Sequence, residues 1–181
     1  MYAQLAKSFM KRVFEMARIQ AIIGGLILTA VMVMIVVSIS GRALVFAGLG
    51  PFPGDFELVE VGTAVAVFLF LPWCYLRGGH ATVDLLFNHL PKRVQWLVTT
   101  FSDVLMLVMW LVFTQRLYEG MLEKKEYMET TFILLMPMWW GYALCLVGAV
   151  IGCLAYFSKT LIQLGLARYP AGWTVESAGV H

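Results

Sequence analysis

Apolar residues run along this chain in four long blocks, separated and flanked by stretches that hold most of the charge. The blocks cover about residues 19–39, 56–76, 94–117 and 132–157. Each is about 20 residues or longer, the length that crosses ~30 Å of hydrocarbon as a helix. The pattern predicts an all-α integral membrane protein with four transmembrane helices in one domain. Ahead of the first block, Leu5, Phe9, Met10, Val13 and Met16 group on one side of a helical wheel, and Lys7, Lys11, Glu15 and Arg18 on the other. That predicts an amphipathic helix over 1–18 lying on an anionic membrane face. A second amphipathic stretch, 81–90, places Val83, Leu86, Phe87 and Leu90 at i, i+3, i+4 and i+7. It is too short to span and is read as an interfacial helix.

The connecting stretches carry their own signals. Gly48-Leu49-Gly50-Pro51-Phe52-Pro53-Gly54 cannot continue a helix. Asp55 follows as an N-cap for the second span, with Glu57 and Glu60 complementing the helix dipole. Pro72 predicts a kink near the end of that span, and Gly62 and Ala66 offer a close-packing pair. Arg77-Gly78-Gly79 ends it. The charged stretch 118–130 extends the third span as a helix into water. In the fourth span Gly141, Cys145, Gly148, Gly152 and Ala155 fall in one narrow stripe, which predicts a closely packed helix neighbour. Residues 159–181 read as a cytoplasmic tail.

Composition agrees with the pattern. The chain is 61% hydrophobic and 13% charged over 181 residues, against roughly half and a quarter in a soluble domain. Lys and Arg fall unevenly: nine lie in the segments on the side of the N-terminus and four, Arg42, Arg116, Lys124 and Lys125, on the other. The positive-inside rule puts both termini in the cytoplasm. Cys74, Cys145 and Cys153 sit inside apolar blocks and read as small hydrophobes.

Chemistry-bearing residues are few. His80, His89 and His181 lie outside the spans, so no pair faces into the bundle to hold haem. No Cys/His spacing suits a metal, and no phosphate-binding loop is present. The chain is expected to be no enzyme, to need no cofactor and to bind no nucleic acid. Asp103 is the one acid well inside an apolar block. Such a residue either locks helices together or carries a proton or ion. Glu57 and Glu60, at i and i+3, either pair with Arg42 or a cation on another subunit, or serve the helix dipole. His80 and Asp84, at i and i+4, form the polar face of the 81–90 helix or fix it against a partner.

Four spans with both termini inside, an arginine after the first span, a Pro-then-acid entry to the second, and the run Arg77-Gly78-Gly79-His80-x-x-Val83-Asp84 closing it with Leu90-Pro91 after, together resemble the small membrane subunit, the DctQ type, of tripartite ATP-independent periplasmic (TRAP) transporters. The resemblance covers about residues 15–165. It implies a non-catalytic subunit in the bacterial inner membrane, bound to a large multi-span subunit that carries the substrate and sodium sites. It also implies a periplasmic binding protein that delivers an organic acid. Arg42, Glu57, Glu60, His80 and Asp84 match the family's recurrent polar positions. The competing reading is a stand-alone, proton-coupled four-span exporter working as a homodimer through Asp103.

Overall fold

The computed structural model describes residues 2–77 and 91–164, with side chains from Ser8 onward. Four helices make up most of it: α1 (Tyr2–Ala43), α2 (Asp55–Leu76), α3 (Lys92–Glu126) and α4 (Trp139–Gln163). Each holds a stretch long and apolar enough to cross a membrane. The described residues contain no strand, only an isolated bridge between Thr130 and Pro137.

α2 and α4 pack on each other at the centre, α1 lies against α2 and α4, and α3 lies against α4. The outer pair is accordingly bare. Only 11% of the most apolar stretch of α1 or α3 is buried, against 28% in α2 and 39% in α4. Uncovered apolar faces of this extent need lipid or another protein.

α1 is one helix where the sequence suggested two. No Gly or Pro separates Arg18 from Ile19, so nothing breaks the hydrogen-bond ladder there. A buried stripe recurs every seven residues along it, at Met10, Ala17, Gly24, Val31 and Ser38, the spacing that keeps one helical seam facing a neighbour. Of the expected apolar face of the N-terminal part Met10 and Val13 are buried, whereas Phe9 and Met16 are exposed. Val13 packs together with Phe14 and Ala17 against Leu76 and Ala155, at the end of the bundle. The Gly62–Ala66 face of α2 meets α1: a Cβ on Gly62 would press on Val31, and one on Gly24 would sit 3.3 Å from the Ala66 carbonyl oxygen.

After α1 a short 3-10 turn, Val45–Ala47, ends on Gly48 in the left-handed region. Gly54 also takes positive φ, at 77°, and immediately precedes α2. Gly54 is thus the cap position, and Asp55 is the first helical residue rather than the N-cap. The fourth span likewise starts later than its apolar run suggests. Residues 129–138 fold back on themselves: Thr131 N–H donates to Met136 O at 2.9 Å and Met138 N–H to Glu129 O at 3.0 Å. Pro137 has no N–H for a helical ladder, and α4 begins two residues later at Trp139. Phe132, expected inside a span, is 98% exposed at the tip of this loop. At the other end α4 continues to Gln163, which brings Lys159 into the helix instead of a tail. α3 takes in the charged stretch as expected, as far as Glu126. The interfacial helix over 81–90 and the tail beyond Leu164 lie outside the described residues.

Candidate functional site

Among the described residues, two clusters of hydrogen-bonded polar side chains stand at opposite ends of the bundle, while buried Gln20 and Ser158 have no hydrogen-bond partner. At the Arg42 end, the helical heptad places Ser38 in the α1–α2 seam. Its hydroxyl donates to Asp55 Oδ2 at 2.6 Å and accepts from the Phe52 N–H at 3.3 Å. Arg42, one turn further along α1, reaches the same Asp55 oxygen at 3.2 Å. Asp55 also accepts from the Phe56 N–H at 2.9 Å. This carboxylate ties α1, the Gly/Pro connection and the start of α2 together. The arginine's partner is therefore Asp55, not Glu57 or Glu60. Asp55 fills that role because Gly54 ends the turn one residue earlier than a capping Asp would, which aims the Asp55 side chain back at α1.

Glu57 acts on a different partner. Its two oxygens accept from the Ile133 and Leu134 N–H groups at 2.7 and 3.0 Å. Those amides belong to the fold-back loop and have no ladder of their own, so the carboxylate holds the loop over the start of α2. Leu134 packs directly on Gly54, where a Cβ would collide with it. Glu60, one turn on, has no hydrogen bond or ion pair among the described residues. It borders a cavity of about 280 Å³ between α2, α3, α4 and the loop.

At the opposite end, Tyr75 of α2 reaches across to α3. Its hydroxyl donates to Asp103 Oδ1 at 2.5 Å. Asp103 is 5% exposed, and its Oδ2 has no partner among the described residues. Lys159 of α4 lies over the Tyr75 ring at 3.9 Å and donates to the Tyr75 carbonyl oxygen at 3.0 Å. That carbonyl is in the last turn of α2, where helical donors run out and a cation complements the dipole. The tyrosine is thus held between a carboxylate at its hydroxyl and an ammonium on its ring face. Tyr156 stacks on Tyr75 at 4.0 Å and on Trp110 at 4.8 Å. Trp110 Nε1 donates to the Ala149 carbonyl oxygen at 2.8 Å.

The small-residue stripe of α4 is occupied from within the chain. Val61 lies on Gly141, the Phe68 carbonyl on Gly148, and the Trp110 indole on Gly152. Cys145 joins Val65 and Leu69 in a buried cluster. The structure thus brings Arg42, Asp103 and the stripe into defined contacts and leaves Glu60 unbonded. His80 and Asp84 lie outside the described residues. Asp55 was expected as a helix cap and not as the partner of Arg42, and Ser38, Tyr75, Trp110 and Lys159 were not singled out as polar partners. A faint signal existed for two of them: Ser38 continues the seven-residue stripe of α1, and Lys159 follows Gly152 by seven on α4.

Among the described residues no group of His, Cys, Asp or Glu could hold a metal ion. Each of these polar contacts holds one helix or loop of this chain against another. A search of the curated proteins returns no match to the chain. The family model for the DctQ component of tripartite ATP-independent periplasmic transporters matches residues 15–165, a stretch that takes in all four spans and both polar clusters. The chain belongs to the DctQ family, the small permease component of the TRAP transporters.

Proposed function

We propose that this chain is the non-catalytic subunit that scaffolds and steadies the large transport subunit of a sodium-coupled, binding-protein-dependent importer of organic acids. The family match over residues 15–165 carries this reading. The fold supports a scaffold: two central helices are locked by close backbone contacts, while the outer helices α1 and α3 present long apolar faces to the membrane plane. Asp103 has a structural place in this reading, joining α2 to α3 through Tyr75. The orientation follows from the Lys/Arg bias. Both termini and the Tyr75–Asp103 cluster are on the cytoplasmic side of the bacterial inner membrane. The Arg42–Asp55 cluster and the fold-back loop face the periplasm, where the binding protein docks.

A tagged copy expressed in its native membranes and solubilised gently tests the proposal. Stoichiometric recovery of a large multi-span subunit is the expected result. Recovery of a homodimer that moves substrate alone, with loss of movement in Asp103→Asn, would replace it with the exporter reading.

A further inference from the structure

In the half of the bundle nearer Arg77, α2 and α3 meet: Phe68 lies 5.8 Å from Trp110, and Tyr75 bonds Asp103. Towards the Arg42 end the cavity of about 280 Å³ lies between them. Val61, Ala64 and Phe68 of α2 and Leu117 of α3 form its walls, with Gly141 and Cys145 of α4 behind. Met136 and Pro137 of the fold-back loop cover its end. One side is open. Glu60 and Ala64, a turn apart on α2, line the cavity and are exposed. The walls run on into exposed apolar residues of the same helix faces, from Ala64 to Val67 on α2 and from Leu117 back to Phe113 and Met109 on α3. Both helices hold stretches of membrane-crossing length, so the mouth opens sideways into hydrocarbon.

An unfilled space between such walls forfeits dispersion contacts along its lining. Water gains little there, because it needs two or more polar partners. At the rim Glu57 is already bound by the Ile133 and Leu134 amides, and the Thr131 hydroxyl accepts from the Met136 N–H at 3.1 Å. A hydrocarbon chain needs no such partner and is what the mouth faces. At about 280 Å³ the space falls below the roughly 300 Å³ at which pockets begin to enclose whole organic molecules. That suits part of one acyl chain, with its headgroup left outside.

The charge at the mouth selects the headgroup. Glu60 is exposed there. Of the cations at this end of α3, Arg116 is bound to Glu119, Lys124 to Glu129, and Lys125 lies over the Trp139 ring. The carboxylate therefore sets the local sign, which repels a net-negative headgroup and attracts an ammonium. Trp140, half exposed, lines the same end, as indoles do at headgroup depth. We infer that the cavity between α2 and α3 holds one amine-headed zwitterionic phospholipid, whose acyl chain enters past Ala64 and whose ammonium stands beside Glu60. Every residue of this site belongs to the chain itself, so the site does not depend on the scaffold reading.

The test takes the full chain from native membranes, with whatever subunits accompany it, into nanodiscs of phosphatidylethanolamine and phosphatidylglycerol. One lipid at a time carries a photoreactive diazirine on an acyl chain. Labelling by the ethanolamine lipid is expected to concentrate on the peptides that hold Ala64, Leu117 and Cys145. A64F plugs the mouth from an exposed position and should reduce that labelling at least about tenfold, the effect of excluding two methylenes. Its melting temperature should stay at the wild-type value, which separates plugging from misfolding. E60Q should fill the cavity as before but lower the preference for the ethanolamine over the glycerol lipid about two- to fivefold, the worth of an exposed ion pair. Labelling spread evenly over the exposed faces of α1 and α3 and unchanged in A64F would mean boundary lipid alone and would overturn the site. Equal labelling by both lipids in the wild type would overturn the headgroup assignment, and cavity peptides crosslinked to another subunit instead of lipid would replace the occupant.

Discussion

The carbonyl oxygen of Phe68 in α2 points at Gly148 in α4, so close that a Cβ on the glycine would lie 3.0 Å from it. The reason lies four residues on, at Pro72, which has no N–H to donate back to Phe68. A carbonyl freed by proline is placed against a helix with no side chain in the way, where a Cα–H can approach it. Two sequence features that looked independent, a kinking proline and a small-residue stripe, are thus two halves of one contact. Gly148→Leu is expected to separate the central helices and cost about 1–3 kcal/mol or more through overpacking, with Gly148→Ala milder. Thermal unfolding of the isolated subunit in detergent reads this out. A wild-type melting temperature for Gly148→Leu would show that α2 and α4 do not meet here. The effect should appear without the large subunit, because the stripe is filled from within the chain.

Tyr75 and Asp103 should behave as a unit. Tyr75→Phe removes the donor to a buried carboxylate, and Asp103→Asn removes the charge that draws it. Each is expected to destabilise the subunit by about 1–2 kcal/mol, the range for interhelical hydrogen bonds in membranes and bonds to charged groups. The double variant should cost little more than either alone. Additive losses would mean that the two side chains act on different neighbours. Lys159→Met should also weaken the subunit, since it frees the Tyr75 carbonyl and empties the ring face.

The Arg42 end separates a hydrogen bond from an ion pair. Asp55 accepts from Ser38, which is 1% exposed, and from Arg42, whose side chain is 55% exposed. Asp55→Ala should therefore lower the melting temperature more than Arg42→Ala. The Arg42→Ala difference should shrink in high salt, which screens exposed pairs, while the Ser38 contribution persists. Equal losses from both variants at all salt concentrations would contradict this ranking.

Glu57 is expected to control the loop more than the bundle. Glu57→Ala removes the acceptors of the Ile133 and Leu134 amides. Hydrogen exchange over residues 129–138 should accelerate severalfold, with α4 unchanged beyond its first turn. Unaltered exchange in the loop would show that the bridge between Thr130 and Pro137 is sufficient to hold it.

The number of spans, the helical class and the lipid-facing character of the chain were legible in one dimension, because crossing hydrocarbon imposes a length and an apolar composition that any single segment either meets or fails. So was the need of Asp103 and the α4 stripe for neighbours. The tertiary structure alone decided which neighbours those are. Arg42 chose Asp55 over Glu57 and Glu60 because of a left-handed glycine at 54, and Glu57 was left to hold a loop that apolar content had disguised as membrane helix. Tyr75, Trp110 and Lys159 were invisible as polar partners, since an aromatic or a helix-end lysine reads as an anchor until another helix is placed beside it. Length and polarity are properties of one segment and survive in one dimension. The identity of a partner depends on the rotation and depth of two segments relative to each other, which only packing sets.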